Sequence, residues 1–253
     1  MPSISTVVST LRAAGCVFAE DEAQLLVEAA HSPPELADMV GRRVAGLPLE
    51  HILGWAQFCG LRIAVDPGVF VPRRRTEFLV HEAAALVGPG AVVVDLCCGS
   101  AAVGAALAAT LGRIELHAAD IDPVAVRCAR RNVSRVHEGD LYAALPADLR
   151  GRVDVLAVNA PYVPTDAIAL MPPEARDHEA RSALDGGPDG LDVQRRVVAD
   201  AARWLAPGGH LLIETSRHQA PDTAATFAAA GLSPRVAISG EHDATVVVGC
   251  PGD

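Results

Sequence analysis

A run of apolar residues, Val153-Asp154-Val155-Leu156-Ala157-Val158, ends abruptly in Asn159-Ala160-Pro161-Tyr162. The run reads as a buried strand that stops in a polar-aromatic turn. An Asn, a rigid turn and a Tyr at the mouth of a sheet can hold a planar amino group. Two acceptors grip its hydrogens while a ring covers its face. The chemistry this suits is transfer to an sp2-attached nitrogen, a side-chain amide or a base amine.

Three further strand ends offer a partner for such a nitrogen. The stretch Val93-Val94-Asp95-Leu96-Cys97-Cys98-Gly99-Ser100-Ala101-Ala102 runs from a strand through small residues into a helix. Small side chains admit a ligand close to the backbone, and the helix start offers N–H groups. Cys97 and Ala101 stand where a glycine-rich fingerprint would have glycines, so the turn alone fits a plain tight turn equally well. Asp120 ends the next strand. Asp122, before Pro123, is the better helix N-cap, which leaves Asp120 to accept the two hydroxyls of a ribose. In Glu138-Gly139-Asp140-Leu141, Asp140 can accept an adenine amine while Leu141 packs on the ring; alone, this is equally a solvated turn.

Strand ends need a sheet to bring them together. From Arg75 onward, helical and strand patterns alternate: helix Thr76–Val87, strand Ala91–Leu96, an Ala-rich helix to Leu111, strand Ile114–Asp120, helix Pro123–Asn132, strand Val133–His137 and strand Val153–Asn159. Helix Leu191–Leu205, strand His210–Thr215, helix Gln219–Ala230 and an antiparallel pair, Arg235–Ile238 with Thr245–Val248, complete the order. Repeated strand–helix units predict a parallel sheet covered by helices, with ligands at the carboxyl ends of its strands. Ahead of it, Ser5 to Ala45 is helical in period, with Pro33-Pro34 separating two segments. Residues 52–71 turn strand-like around Asp66-Pro67-Gly68, which predicts a β-hairpin linker. The expected division is a helical docking domain over 1–50, the linker over 51–75 and the sheet domain over 76–253.

Composition narrows the chemistry. Half of the 253 residues are hydrophobic, enough for one large core and a small module. The net charge of −10 argues against a large nucleic-acid footprint. All 21 basic residues are Arg, so no Schiff-base or Walker lysine is present. The six cysteines (Cys16, Cys59, Cys97, Cys98, Cys128, Cys250) form no C-x-x-C pair and lack a His at zinc spacing; buried, reduced thiols and no metal are expected. The first residues lack the basic start and apolar stretch of a signal peptide, and no run would span a bilayer, so a cytoplasmic protein away from membranes is expected.

The cradle, the ribose acid and the adenine clamp together resemble the Rossmann-like class I S-adenosylmethionine-dependent methyltransferases. The likeness then tightens. Gly46-Leu47-Pro48-Leu49-Glu50-His51-Ile52-Leu53-Gly54, followed by Phe58, is similar to the linker of the HemK-type protein-(glutamine-N5) methyltransferases. Val71-Pro72-Arg73-Arg74-Arg75-Thr76-Glu77 resembles their PRPxTE segment, and Ser182 to Leu191, Glu214 and Gln219 fit as well. Those enzymes methylate a glutamine side-chain amide, that of the GGQ tripeptide of peptide chain release factors or of another translation protein. The resemblance implies that Asn159 and the carbonyl of Ala160 accept the amide hydrogens, and that Pro161 and Tyr162 line the substrate pocket. It implies that S-adenosylmethionine lies against Asp95, Cys97, Cys98, Gly99, Ser100, Ala101, Asp120, Asp140, Leu141 and Asn159.

Orientation rather than a strong base would drive that reaction, because an amide lone pair is delocalised and must be held in line with the sulfonium methyl. The family tetrapeptide is NPPY; Ala160 keeps the carbonyl, loses the ring and adds an N–H. Arg74 and Arg75 replace a Pro and an acid, and read either as solvated arginines or as a dock for an acidic partner or RNA. Two other readings stay open: an adenine or cytosine amino-methyltransferase acting on a flipped base, and a binding module that keeps the fold without the chemistry.

Overall fold

The computed structural model describes residues 3–252. Three helices open the chain: α1 (Ile4–Ala13), α2 (Ala19–Ala29) and α3 (Pro33–Val44). Ser3 and Ser32 cap α1 and α3 by accepting the backbone N–H groups of Thr6 and Glu35. Two helical segments are expected and three form, because the chain also breaks at Gly15, where φ is +92°. Leu11, Leu26 and Leu36 meet in a small core of their own. The short helix α4 (Leu49–Leu53) leads into an antiparallel hairpin, β1 (Trp55–Phe58) and β2 (Leu61–Ala64).

The hairpin turns at Cys59-Gly60, not at Asp66-Pro67-Gly68. A two-residue hairpin loop of type I′ needs positive φ at both central residues, and Cys59 and Gly60 have +46° and +76°. Pro67 has its φ fixed near −65° and cannot serve in such a loop. Asp66–Val69 is a later bend, closed by the Val69 N–H on the Asp66 carbonyl at 3.1 Å.

Beyond a 3₁₀ turn at Arg74–Thr76 come α5 (Glu77–Ala84), β3 (Val92–Leu96), α6 (Ala102–Leu111), β4 (Glu115–Asp120), α7 (Pro123–Ala129), β5 (Val136–Glu138) and β6 (Val153–Val158). They are followed by α8 (Pro173–His178), α9 (Asp192–Ala201), β7 (Leu205–Thr215), α10 (Ala220–Ala229), β8 (Leu232–Ser239) and β9 (Ala244–Pro251). Seven strands form one sheet in the order β5-β4-β3-β6-β7-β9-β8. The first five pair in parallel; β9 runs antiparallel to β7 and β8. This is the expected α/β architecture. β7 starts five residues earlier than the periodicity suggests: Leu205 pairs with Val153 before a register shift, so the preceding helix ends at Ala201.

The chain builds β3, β4 and β5 in one direction and then reverses to β6 and β7. The reversal between β3 and β6 opens a crevice at their carboxyl ends. Register then decides who meets there. Leu96 stands beside Ala119 and Val158, so Cys97, Asp120 and Asn159 emerge side by side. Val158 stands beside Ile213, so Glu214 is the neighbour of Asn159.

Candidate active site

A cleft of about 280 Å³ occupies this crevice. Its wall includes Asp95, Cys97, Cys98, Gly99, Ser100, Asp120, Asp140 and Leu141 on one side, and Asn159, Ala160, Pro161 and Tyr162 on the other. The structure therefore brings together every residue expected to line the cofactor and substrate sites except Ala101. Ala101 is fully buried, with φ +59°, at the start of α6, where it shapes the turn rather than the wall.

The turn after β3 is held from both sides. Asp95 is 2 % exposed, and its Oδ2 accepts the Gly104 N–H at 2.8 Å. Burial pushes its carboxyl up to about 7, against the lowering effect of that bond. Asp120 accepts the Gly99 N–H at 2.8 Å on one oxygen and the Asp122 N–H at 2.9 Å on the other. Asp122 caps α7 through Val124, as expected, but Asp120 is thus also a brace between strand end and turn. Asp140 faces the cleft and forms an ion pair with Arg196 at 2.6 Å, a partner the sequence pattern did not suggest. Burial, reinforced by Asp120 and Asp95, pushes the thiols of Cys97 and Cys98 up, so they stay protonated and inert.

Alternation along the strands sets the other side. Val155 and Ala157 of β6 and Leu212 of β7 pack in the layer that holds α5 and α6. Asn159 and Glu214 continue those same sides of their strands and so meet the start of α5. Asn159 Nδ2 donates to Thr76 Oγ1 at 3.4 Å. Tyr162 Oη and Arg75 Nε donate to Glu214 Oε1 at 3.4 and 3.3 Å. The Arg75 guanidinium also lies 5.9 Å from the Tyr162 ring centroid. Burial beside Glu214 pushes the Tyr162 phenol up to about 12, so it is neutral.

Arg74 and Arg75 are both exposed, but Arg75, with 46 % of its side chain in water, is also tied to Glu214 and lines the cleft. Thr76 and Glu214 gain partners that sequence spacing did not reveal. The available signal was a carboxylate closing the apolar run Leu211-Leu212-Ile213, where burial demands a partner.

The loop over 182–191 lies beneath the tetrapeptide. Gln219 Nε2 donates to the carbonyls of Tyr162 at 2.9 Å and Asp189 at 3.1 Å. A Cβ on Gly186 would come within 2.7 Å of the Pro161 carbonyl. Glu179 closes the outer edge, accepting from Val71 N–H at 3.1 Å and Arg73 Nη2 at 2.5 Å.

Comparison with known proteins places this arrangement. The family model described as "Methyltransferase small domain" matches residues 60–228. A release factor glutamine methyltransferase of Geobacter sulfurreducens is 38% identical over 79% of this chain and 72% of the relative. A 4-amino-L-phenylalanine/4-methylamino-L-phenylalanine methyltransferase of Streptomyces pristinaespiralis is 37% identical over 79% of this chain and 71% of its own length. A methyltransferase structure from Pyrococcus furiosus superposes with a TM-score of 0.59 at 16% identity, covering 86% of this chain and all of that one; it supports the fold alone. By the family model and by relatives matched at this identity over most of their length, the chain belongs to the release factor glutamine methyltransferase family, an S-adenosylmethionine-dependent methyltransferase group.

Proposed function

We propose that this enzyme methylates the side-chain amide nitrogen of a glutamine in a protein, with the GGQ tripeptide of a peptide chain release factor as its substrate. The observation that carries this reading is the placement of Asn159 beside the turn after β3. Adjacent strand ends put an acceptor for amide hydrogens next to the cradle for a methyl donor.

The residues on the donor side suit S-adenosylmethionine. The cleft wall there is small-residue backbone at Cys97–Ser100, with Asp120 and Asp140 for hydroxyl and amino groups and Leu141 for a ring face. When bound, the cofactor supplies an electrophilic methyl group. The residues of this chain do the rest. Asn159 Oδ1 and the Ala160 carbonyl accept the two amide hydrogens and aim the nitrogen lone pair. Tyr162, as a neutral phenol, walls the pocket without competing as a base. No strong base is needed, because the amide nitrogen becomes strongly acidic once methylated and loses its proton readily.

Purified protein incubated with S-adenosylmethionine and release factor, followed by peptide mass spectrometry, tests the target. One added methyl on the GGQ glutamine is expected; a release factor left unmodified overturns it. Asn159→Ala is expected to keep cofactor affinity by calorimetry while turnover falls about a hundredfold, the scale for a lost preorganised polar contact.

A second reading, methylation of an aromatic amine on a free amino acid, is favoured by the Streptomyces pristinaespiralis relative, whose name states such substrates. Asn159 would grip an aryl amine as readily as an amide. Methyl transfer to 4-amino-L-phenylalanine, with none to release factor, would select it.

A further inference from the structure

A side-chain amide can exchange its donor and acceptor by a half-turn that leaves packing unchanged. Asn159 is useful only one way round. With Oδ1 toward the cleft it accepts from a substrate NH₂; with Nδ2 there it opposes one. Something must fix the choice.

Asn159 Nδ2 is bonded inward to Thr76 Oγ1. Thr76 is 3 % exposed, so water does not decide the direction of its hydroxyl proton. A hydroxyl with a free proton would serve either amide orientation, accepting from Nδ2 or donating to Oδ1. Glu214, 1 % exposed, stands beside Asn159 at the neighbouring strand end, and its carboxyl takes a hydrogen-bonding influence from the Thr76 hydroxyl. Its Oε1 holds Tyr162 and Arg75, while Oε2 is buried with no hydrogen-bond partner of its own. An ionised carboxylate only accepts. Committing the Thr76 proton to Oε2 would satisfy that oxygen and leave Thr76 able only to accept from Asn159.

We propose that Glu214 is a positioning residue: acting through the Thr76 hydroxyl, it locks the Asn159 amide with Oδ1 facing the substrate nitrogen. This rests on the reading of Asn159 as the acceptor for that nitrogen. The charged and titratable groups facing Glu214 are Arg75 from the 3₁₀ turn and Tyr162 from the loop after β6; its neighbour across β9 is Val246. Protonated Glu214 becomes a donor, Thr76 is released, and the lock opens. Burial raises the Glu214 carboxyl above its ordinary value, with Thr76 the foremost influence pulling it back. The lock therefore opens as pH falls through a value above the usual carboxylate range.

The test compares kcat, KM and pH profiles of wild type, Thr76→Val, Thr76→Ser and Glu214→Gln. Release factor and S-adenosylmethionine are the substrates, with 4-amino-L-phenylalanine as acceptor if release factor is not modified. Thr76→Val keeps shape and removes the hydroxyl. Its kcat is expected to fall about tenfold, the scale of one oriented hydrogen bond, with cofactor affinity by calorimetry unchanged. Thr76→Ser should recover most of that loss. Glu214→Gln should lower kcat and abolish the acidic limb of the profile at constant KM.

Wild-type kcat in Thr76→Val, or an acidic limb retained in Glu214→Gln, overturns the lock. If Glu214→Gln does not fold, the Val and Ser pair decides alone. Wild-type turnover in Asn159→Ala would instead remove the acceptor role on which the lock depends, so the two failures are separable.

Discussion

Asp95 holds its carboxyl where water scarcely reaches, with one oxygen on the Gly104 N–H. Its pKa stands near 7 in the folded chain and near the ordinary 3.9 when unfolded. Between these values the folded state binds a proton that the unfolded state lacks, so stability is full below about pH 4 and is lost as pH rises through about 7. Asp95→Asn keeps the shape and the acceptor but cannot titrate. Urea unfolding without cofactor should show wild type losing stability relative to Asp95→Asn across this window; parallel pH curves would refute the assignment. At this scale the sequence was legible where a polar side chain ends an apolar run: Asp95, Asp120 and Asn159 stand at strand ends and line the cleft. It was less legible where meaning depends on a partner. Asp140 is matched to Arg196, and Thr76 to Asn159, only by the fold.

Helices and strands were readable from period, but turns depended on rarer conformations. The hairpin was expected around Asp66-Pro67-Gly68 because those residues have strong turn chemistry; the positive φ values at Cys59-Gly60 placed it earlier. The loop at 182–191 is the other case, since its role lies in close backbone approach. Gly190, at φ +80°, lies where a Cβ would come within 2.5 Å of Gln219 Nε2, the group that holds the Tyr162 carbonyl. Gly54 has a similar φ of +77° in the left-handed region but open space around it. Gly54→Ala should thus cost only left-handed backbone strain, about 1–2 kcal/mol. Gly190→Ala should cost about 2 kcal/mol more by displacing Gln219, and should lower turnover through Tyr162. Thermal unfolding and kcat of the two variants measure this; equal losses would mean that the loop does not seat the tetrapeptide.

Across the molecule, one buried arginine joins the N-terminal helices to the segment that follows the site. Arg43 of α3 donates from Nε to Glu22 of α2 at 2.6 Å, and from Nη1 to Glu174 of α8 at 2.7 Å and to the Leu47 carbonyl at 3.1 Å. Its side chain is 7 % exposed, Glu22 is nearly as buried, and Glu174 is half in water. The segment carrying α8 supplies Met171, Ala180 and Leu184 to the cleft, so the helices brace one wall of the site from outside. Removing one member of such a buried pair costs more than the pair contributes, because the remaining charge stays desolvated. Arg43→Met should therefore destabilise by about 3–5 kcal/mol. Adding Glu22→Gln removes the stranded charge and should restore a large share, whereas adding Glu174→Gln should restore little, because water already reaches that carboxylate. Chemical unfolding of the single and double variants gives the two coupling energies. The expected order, Glu22 well above Glu174, makes the N-terminal helices a unit clamped from within. The reverse order would place the main attachment at α8 and make the helices depend on the cleft wall for their own stability.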